Sequence, residues 1–132
     1  MDRLRERLTV AARAVHTLRE LALLAMPTRT ERDAAIQRFE YSFEATWKSA
    51  QRFLRIVEGV DACSPKAAIR ASHDAALLDL EATEEALRMA DDRNLTAHTY
   101  NEALAVAIFS RLPRHLATLE SWLAAMNARL PA

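Results

Sequence analysis

The chain has 132 residues, with 18 basic side chains balanced by 18 acidic ones. That length supports one hydrophobic core rather than two, and the zero net charge excludes a global basic field able to hold a nucleic acid. With 51% hydrophobic and 27% charged residues the composition is that of a globular protein. One Gly and four Pro are too few turn residues for an all-β fold, and the abundant Ala, Leu, Arg and Glu are strong helix formers, so an all-α fold is expected.

The first predicted helix runs from about Asp2 to Ala25, with Leu4, Leu8, Ala11, Val15, Leu18 and Leu21 at helical spacing, and stops before Pro27. Thr28 and Glu31 have capping-box spacing and open a second helix that reaches Glu58, ended by Gly59. At 1.5 Å per residue it should be about 45 Å long. Ser64 followed by Pro65 starts a short third helix to about Leu78. Asp79 can cap a fourth, with Glu81, Glu84 and Glu85 in an acidic opening turn. Thr99 and Glu102 repeat the capping-box spacing, placing the start of a fifth helix near Tyr100. Its apolar row is Leu104, Ile108, Leu112, Leu116, Leu119, Leu123 and Met126, with a kink expected at Pro113.

This pattern predicts an up-and-down four-helix bundle with an additional short helix, formed by residues 1–132 as one domain. Ala103, Ala105, Val106 and Phe109 lie off the main row of the fifth helix. A helix apolar on a second side must bury it, either in a wider core or against another copy. Self-association as a homodimer, or a multiple of dimers, is the expectation.

Cys63 is the single cysteine, so no intrachain disulfide is possible and a cytoplasmic location is expected. The longest apolar run, Ala103 to Phe109, is seven residues, far short of the roughly 20 needed to span a bilayer. A single Gly is incompatible with a Walker loop or a dinucleotide fingerprint. No two His are three or four apart and none follows a Glu by three, so neither a metal nor a cofactor is expected. His16, His73 and His115 stand alone on their helices and read as surface or edge residues. Phe39, Phe43, Trp47 and Phe53 recur at helical spacing without interleaved lysines and read as core.

The polar run Asp91, Asp92, Arg93, Asn94, Thr96, His98, Thr99, Tyr100 and Asn101 stands apart. On a helix Asp91, Asn94 and His98 share a face. An Arg that grips a phosphate beside a His that moves a proton is the minimum set for metal-free phosphodiester chemistry. The same residues also suit a helix-ending network in which Asp, Asn and Thr satisfy terminal backbone groups. Six acids from Asp79 to Asp92 against Arg88 alone repel a phosphate backbone locally. Residues 1–58, by contrast, carry 11 basic and 8 acidic groups, Arg3, Arg5, Arg7 and Arg13 among them. RNA is therefore possible where that basic half reaches the site, and DNA is not expected.

The stretches RDAAIQRFEYSFEATWKSAQ (Arg32 to Gln51), SPKAAIR (Ser64 to Arg70) and DDRNLTAHTYNE (Asp91 to Glu102) carry a family likeness across nearly the whole chain. The sequence resembles the nucleotidyltransferase substrate-binding protein family of the HEPT superfamily. The resemblance implies a self-associating four-helix bundle that works with a separately encoded minimal nucleotidyltransferase. It further implies a toxin–antitoxin relationship in which the helical member is a metal-independent ribonuclease using an Arg, four to six residues, then a His. Arg93 and His98 match that motif as catalytic residues, and Tyr100 matches the tyrosine that accepts AMP from the partner. Asp91, Asp92, Asn94 and Thr96 are the supporting residues. Ala86, Ala75 and Ala76 depart from the family pattern around the motif. The competing function is a non-catalytic substrate-binding subunit that presents a substrate to the nucleotidyltransferase.

Overall fold

Five α-helices account for most of the computed structural model, which describes residues 1–131: α1 (Asp2–Ala22), α2 (Arg29–Phe53), α3 (Pro65–Asp74), α4 (Leu80–Leu95) and α5 (Glu102–Ala128). Each buries the stripe its spacing dictates. Leu4, Leu8, Ala11, Val15, Leu18 and Ala22 of α1 are all buried, and α1 packs on α2 and α5. The short α3 packs on α2 and α4, while α4 lies against α2 and α5. Phe39, Phe43, Phe53, Met89, Ile108 and Trp122 fill the shared core. The indole N–H of Trp122 donates to Ser72 Oγ at 3.1 Å, so the largest buried ring leaves its polar atom satisfied. No described helix is long and apolar enough to cross a membrane.

The ends of the helices follow from their caps. The Glu31 amide donates to Thr28 Oγ1 at 3.1 Å and the Thr28 amide to Glu31 Oε1 at 2.9 Å, a complete capping box. Ser64 and Asp79 cap α3 and α4 by accepting from the amides of Ala67 and Ala82. α2 continues as one π-helical turn, Leu54–Glu58, which closes when the Val60 amide reaches the Leu54 carbonyl at 3.0 Å. Gly59 ends it with φ +66°, the left-handed region open to glycine at little cost. A Cβ there would meet nothing within 4 Å, so only the backbone conformation opposes an alanine. Gly59→Ala should lower stability by about 1 kcal/mol in a urea melt.

Three boundaries depart from the sequence reading. α1 ends at Ala22 and α3 at Asp74, earlier than expected. After α3 the amides of Ala76 and Leu77 turn back to His73 and Ser72 carbonyls, with Ala76 at φ 61°. The fifth helix is capped by Asn101, whose Oδ1 accepts from the Leu104 amide at 3.1 Å. Thr99 does not cap it, because its hydroxyl donates instead to the Thr96 carbonyl at 3.0 Å. α5 continues through Pro113 as one helix of 27 residues. Its off-row residues divide, with Ala105 buried in the core while Ala103 and Val106 stay exposed and Phe109 is partly buried.

Candidate functional site

The polar run occupies the join between α4 and α5, where α4 gives way to a 3₁₀ turn, Thr96–His98. Thr96 is buried and its hydroxyl donates to the Arg93 carbonyl at 2.7 Å, which fixes the last turn of α4. The tighter winding moves His98 off the face that Asp91 and Asn94 would share with it on a continuous helix. His98 is exposed, and its ring meets the edge of Tyr100 with centroids 6.2 Å apart and planes at 77°. Tyr100 is 83% exposed, so its hydroxyl projects into solvent beside the imidazole.

Arg93 points to the other side of the join. Its guanidinium lies 3.6 Å from Glu44 of α2, and its buried Nε has no hydrogen-bond partner. Phe43, Glu44, Ser64, Lys66 and Asn94 surround it in a pocket between α2, α3 and α4. Asp91 is turned outward, where Lys66 Nζ donates to it at 2.6 Å. Arg93 and Asn94 thus share one pocket, while His98 and Tyr100 share the adjacent turn. The two groups are consecutive along the chain, on the last turn of α4 and on the 3₁₀ turn and residues that follow it.

Asp92 faces the opposite way, into the α4–α5 interface. Arg111 donates to it twice, Nε to Oδ2 and Nη2 to Oδ1, each at 2.7 Å. His115 Nε2 lies 2.7 Å from the same Oδ2, and since a carboxylate only accepts, the ring nitrogen is the donor. His115 Nδ1 is 2.8 Å from Glu85 Oε2 but lacks the alignment of a hydrogen bond. Phe39 stacks on the ring at 5.3 Å between centroids. Burial works against the charge on Asp92, yet the hydrogen bonds from Arg111 and His115 outweigh it and hold the carboxyl below its usual range. The Asp92 carboxylate in turn raises Arg111.

This network corrects the reading of His115 as a surface residue with no acid grouped around it. Its ring is fully buried, and Glu85, expected in the acidic opening turn of α4, lies beyond its first turn and joins the same network. The overlooked signal is a pair of facing charge patterns, Glu85 and Asp92 two turns apart on α4 and Arg111 and His115 one turn apart on α5. His73 is exposed and its Nδ1 lies 3.0 Å from the Leu78 carbonyl, closing the turn after α3. Among the described residues no three His, Cys, Asp or Glu side chains converge as metal ligands.

The model of the family described as nucleotidyltransferase substrate binding protein like matches residues 6–128. The chain belongs to this family. A crystal structure from Thermus thermophilus is 52% identical at TM-score 0.86, covering 88% of this chain and 98% of its own. A Haemophilus influenzae structure, described as revealing the fold of a substrate binding domain of a nucleotidyltransferase, is 21% identical at TM-score 0.77, covering 91% and 98%. A tri-AMPylated Shewanella oneidensis HEPN toxin in complex with MNT antitoxin is 16% identical at TM-score 0.75, covering 98% and 99%. The last two likenesses establish the fold of this family member. No curated protein matches the chain.

Proposed function

We propose that this family member is the helical partner of a separately encoded minimal nucleotidyltransferase and that it is a metal-independent ribonuclease silenced by AMP transfer to Tyr100. The observation that carries the reading is the corner where α4 meets α5. There a guanidinium with an unpartnered Nε lies in an open pocket, one turn before an exposed imidazole in edge contact with an exposed phenol. The fold likeness to a HEPN toxin held by an MNT antitoxin, AMPylated three times, supports the same pairing.

In this reaction Arg93 holds the scissile phosphate and steadies its developing charge. The neighbouring ribose 2′-oxygen forms a bond to phosphorus while the bond to the 5′-oxygen breaks, giving a 2′,3′-cyclic phosphate and a 5′-hydroxyl. His98 serves in proton transfer, taking the 2′-hydroxyl proton or supplying the proton that the leaving oxygen needs. Arg93 and His98 form no hydrogen bond or ion pair with each other within one chain, and the expected dimer would cover the exposed Val106 of α5.

Purified chain, assayed with a chelator present, should cleave RNA to products ending in a cyclic phosphate. His98→Ala should lower the rate by about 10²–10⁴-fold, Arg93→Ala should also abolish most of it, and His73→Ala should leave it unchanged. Cleavage that survives His98→Ala and Arg93→Ala would transfer the assignment to the substrate-binding reading. The pocket that encloses Arg93 with Lys66 and Asn94, apart from His98, is the specific observation in favour of that second reading.

A further inference from the structure

Beside the pocket of Arg93, on the far side of Glu44, lies a basic groove that the chemistry above does not use. Along α2 and its π-helical end, Glu44, Lys48, Gln51 and Arg55 recur at three- and four-residue spacing, with Arg52 beside them, on one side of the helix. Arg7 of α1 reaches the same groove, whose lining is Arg7, Lys48, Gln51, Arg52, Arg55 and Ile56. No carboxylate lines it. None of the ion pairs among the described residues includes Arg7 or Arg52, so both guanidinium groups keep their donors for an outside anion. Arg55 and Lys48 do have partners, Asp61 at 3.6 Å in a largely exposed pair and the partly buried Glu44 at 3.7 Å. Such pairs contribute little and exchange readily for a phosphate.

Glu44 links the groove to the site, because it lies 3.6 Å from Arg93 on one side and 3.7 Å from Lys48 on the other. From Lys48, the groove's first cation on α2, to Arg55 the helix advances about 10 Å at 1.5 Å per residue. A cationic track of that length, one helix wide, matches a run of successive phosphodiesters on one strand. Its composition argues against a protein partner, since the centre of a protein interface is depleted of charge and rich in aromatic anchors, whereas this groove is four cations with a half-exposed Ile56. The acidic opening half of α4 repels a strand, which leaves α2 as the approach to Arg93.

We propose that the α1–α2 groove carries the phosphate backbone of single-stranded RNA, with Arg7, Lys48, Arg52 and Arg55 holding the nucleotides that flank the phosphate at Arg93. The assignment rests on the ribonuclease reading, and its test separates the two. A fluorescent 12-nucleotide oligouridylate is titrated with the full chain carrying His98→Ala, which prevents cleavage, across a range of salt concentrations. For a single strand each lost cation should reduce the steepness of log K against log salt by about 0.7, so Arg7→Gln with Arg52→Gln should reduce it by about 1.4. Affinity at 0.1 M salt should fall at least tenfold. Arg29→Gln, an exposed change at the start of α2 outside the groove, should alter neither. Because Arg7 and Arg52 are in no ion pair, the double variant should melt like the parent.

A double variant that keeps the parent's salt slope, while the wild-type chain still cleaves RNA, overturns the groove and leaves the ribonuclease reading standing. Unchanged RNA binding with lost capture of the nucleotidyltransferase also overturns it, by making the groove a protein-docking surface. A wild-type chain that neither binds nor cleaves RNA at low salt refutes the ribonuclease reading, and the groove assignment with it.

Discussion

Asp92→Ala is expected to destabilise the bundle by about 1–3 kcal/mol, the cost of leaving the buried His115 donor unsatisfied while the half-exposed Arg111 turns to water. The Asp92 side chain is 7% exposed and accepts three hydrogen bonds, two from Arg111 and one from His115. Its removal would strand a fully buried imidazole between Phe39 and Glu85. By comparison Glu120→Gln, which breaks the exposed pair with Arg19, should cost at most about 1 kcal/mol. The pH dependence gives an independent reading of the same network. Asp92 titrates below its ordinary value when folded, so its contribution is complete above the unfolded value of about 3.9. That contribution is lost as pH falls through the lower folded value. Urea melts between pH 2 and 7 should show a falling acid limb for the parent and a shallower one for Asp92→Asn. Equal acid limbs in the two proteins would show that Asp92 is not held ionised by its neighbours.

The fold was legible because the features that define it are local. Thr28 with Glu31, Ser64 with Pro65, Asp79 and Gly59 each act within a few residues, and the structure places each at the helix end its chemistry suits. Thr99 misled because two side chains at one junction compete for the same role. Its hydroxyl completes the 3₁₀ turn, which leaves Asn101 to cap α5. Within the candidate site, Arg93, His98 and Tyr100 were readable as a run of reactive groups, yet their directions were not. A continuous helix groups Asp91, Asn94 and His98, and the change to 3₁₀ winding after Leu95 separates them. Asp92 groups with its sequence neighbours because the charge pattern it shares with Glu85 points inward only once a facing pattern on another helix is matched to it. Its partners, Arg111 and His115, lie 19 and 23 residues away, and such pairings emerge only when α4 is laid against α5.

Tyr100→Phe is expected to abolish AMP addition at this site while leaving the bundle intact. In the proposed transfer the phenol oxygen forms a bond to the α-phosphorus of ATP, the bond to the departing pyrophosphate breaks, and the phenol proton is released. Phe retains the ring that meets His98 edge-on and lacks the one atom that forms the new bond. At 83% exposure the Tyr100 side chain contributes little burial, so the substitution should be neutral in a thermal melt. The adduct would place a bulky anion beside His98 at the corner proposed for RNA cleavage, so modification and cleavage should be mutually exclusive. The decisive measurement is the intact mass of the chain after incubation with the proposed nucleotidyltransferase partner, ATP and magnesium. The account predicts one or more added AMP units on the wild-type chain, with RNA cleavage lost in step, and no addition at residue 100 in Tyr100→Phe. A Tyr100→Phe chain modified to the same extent as the wild type, or a modified wild-type chain that still cleaves RNA at full rate, would contradict it.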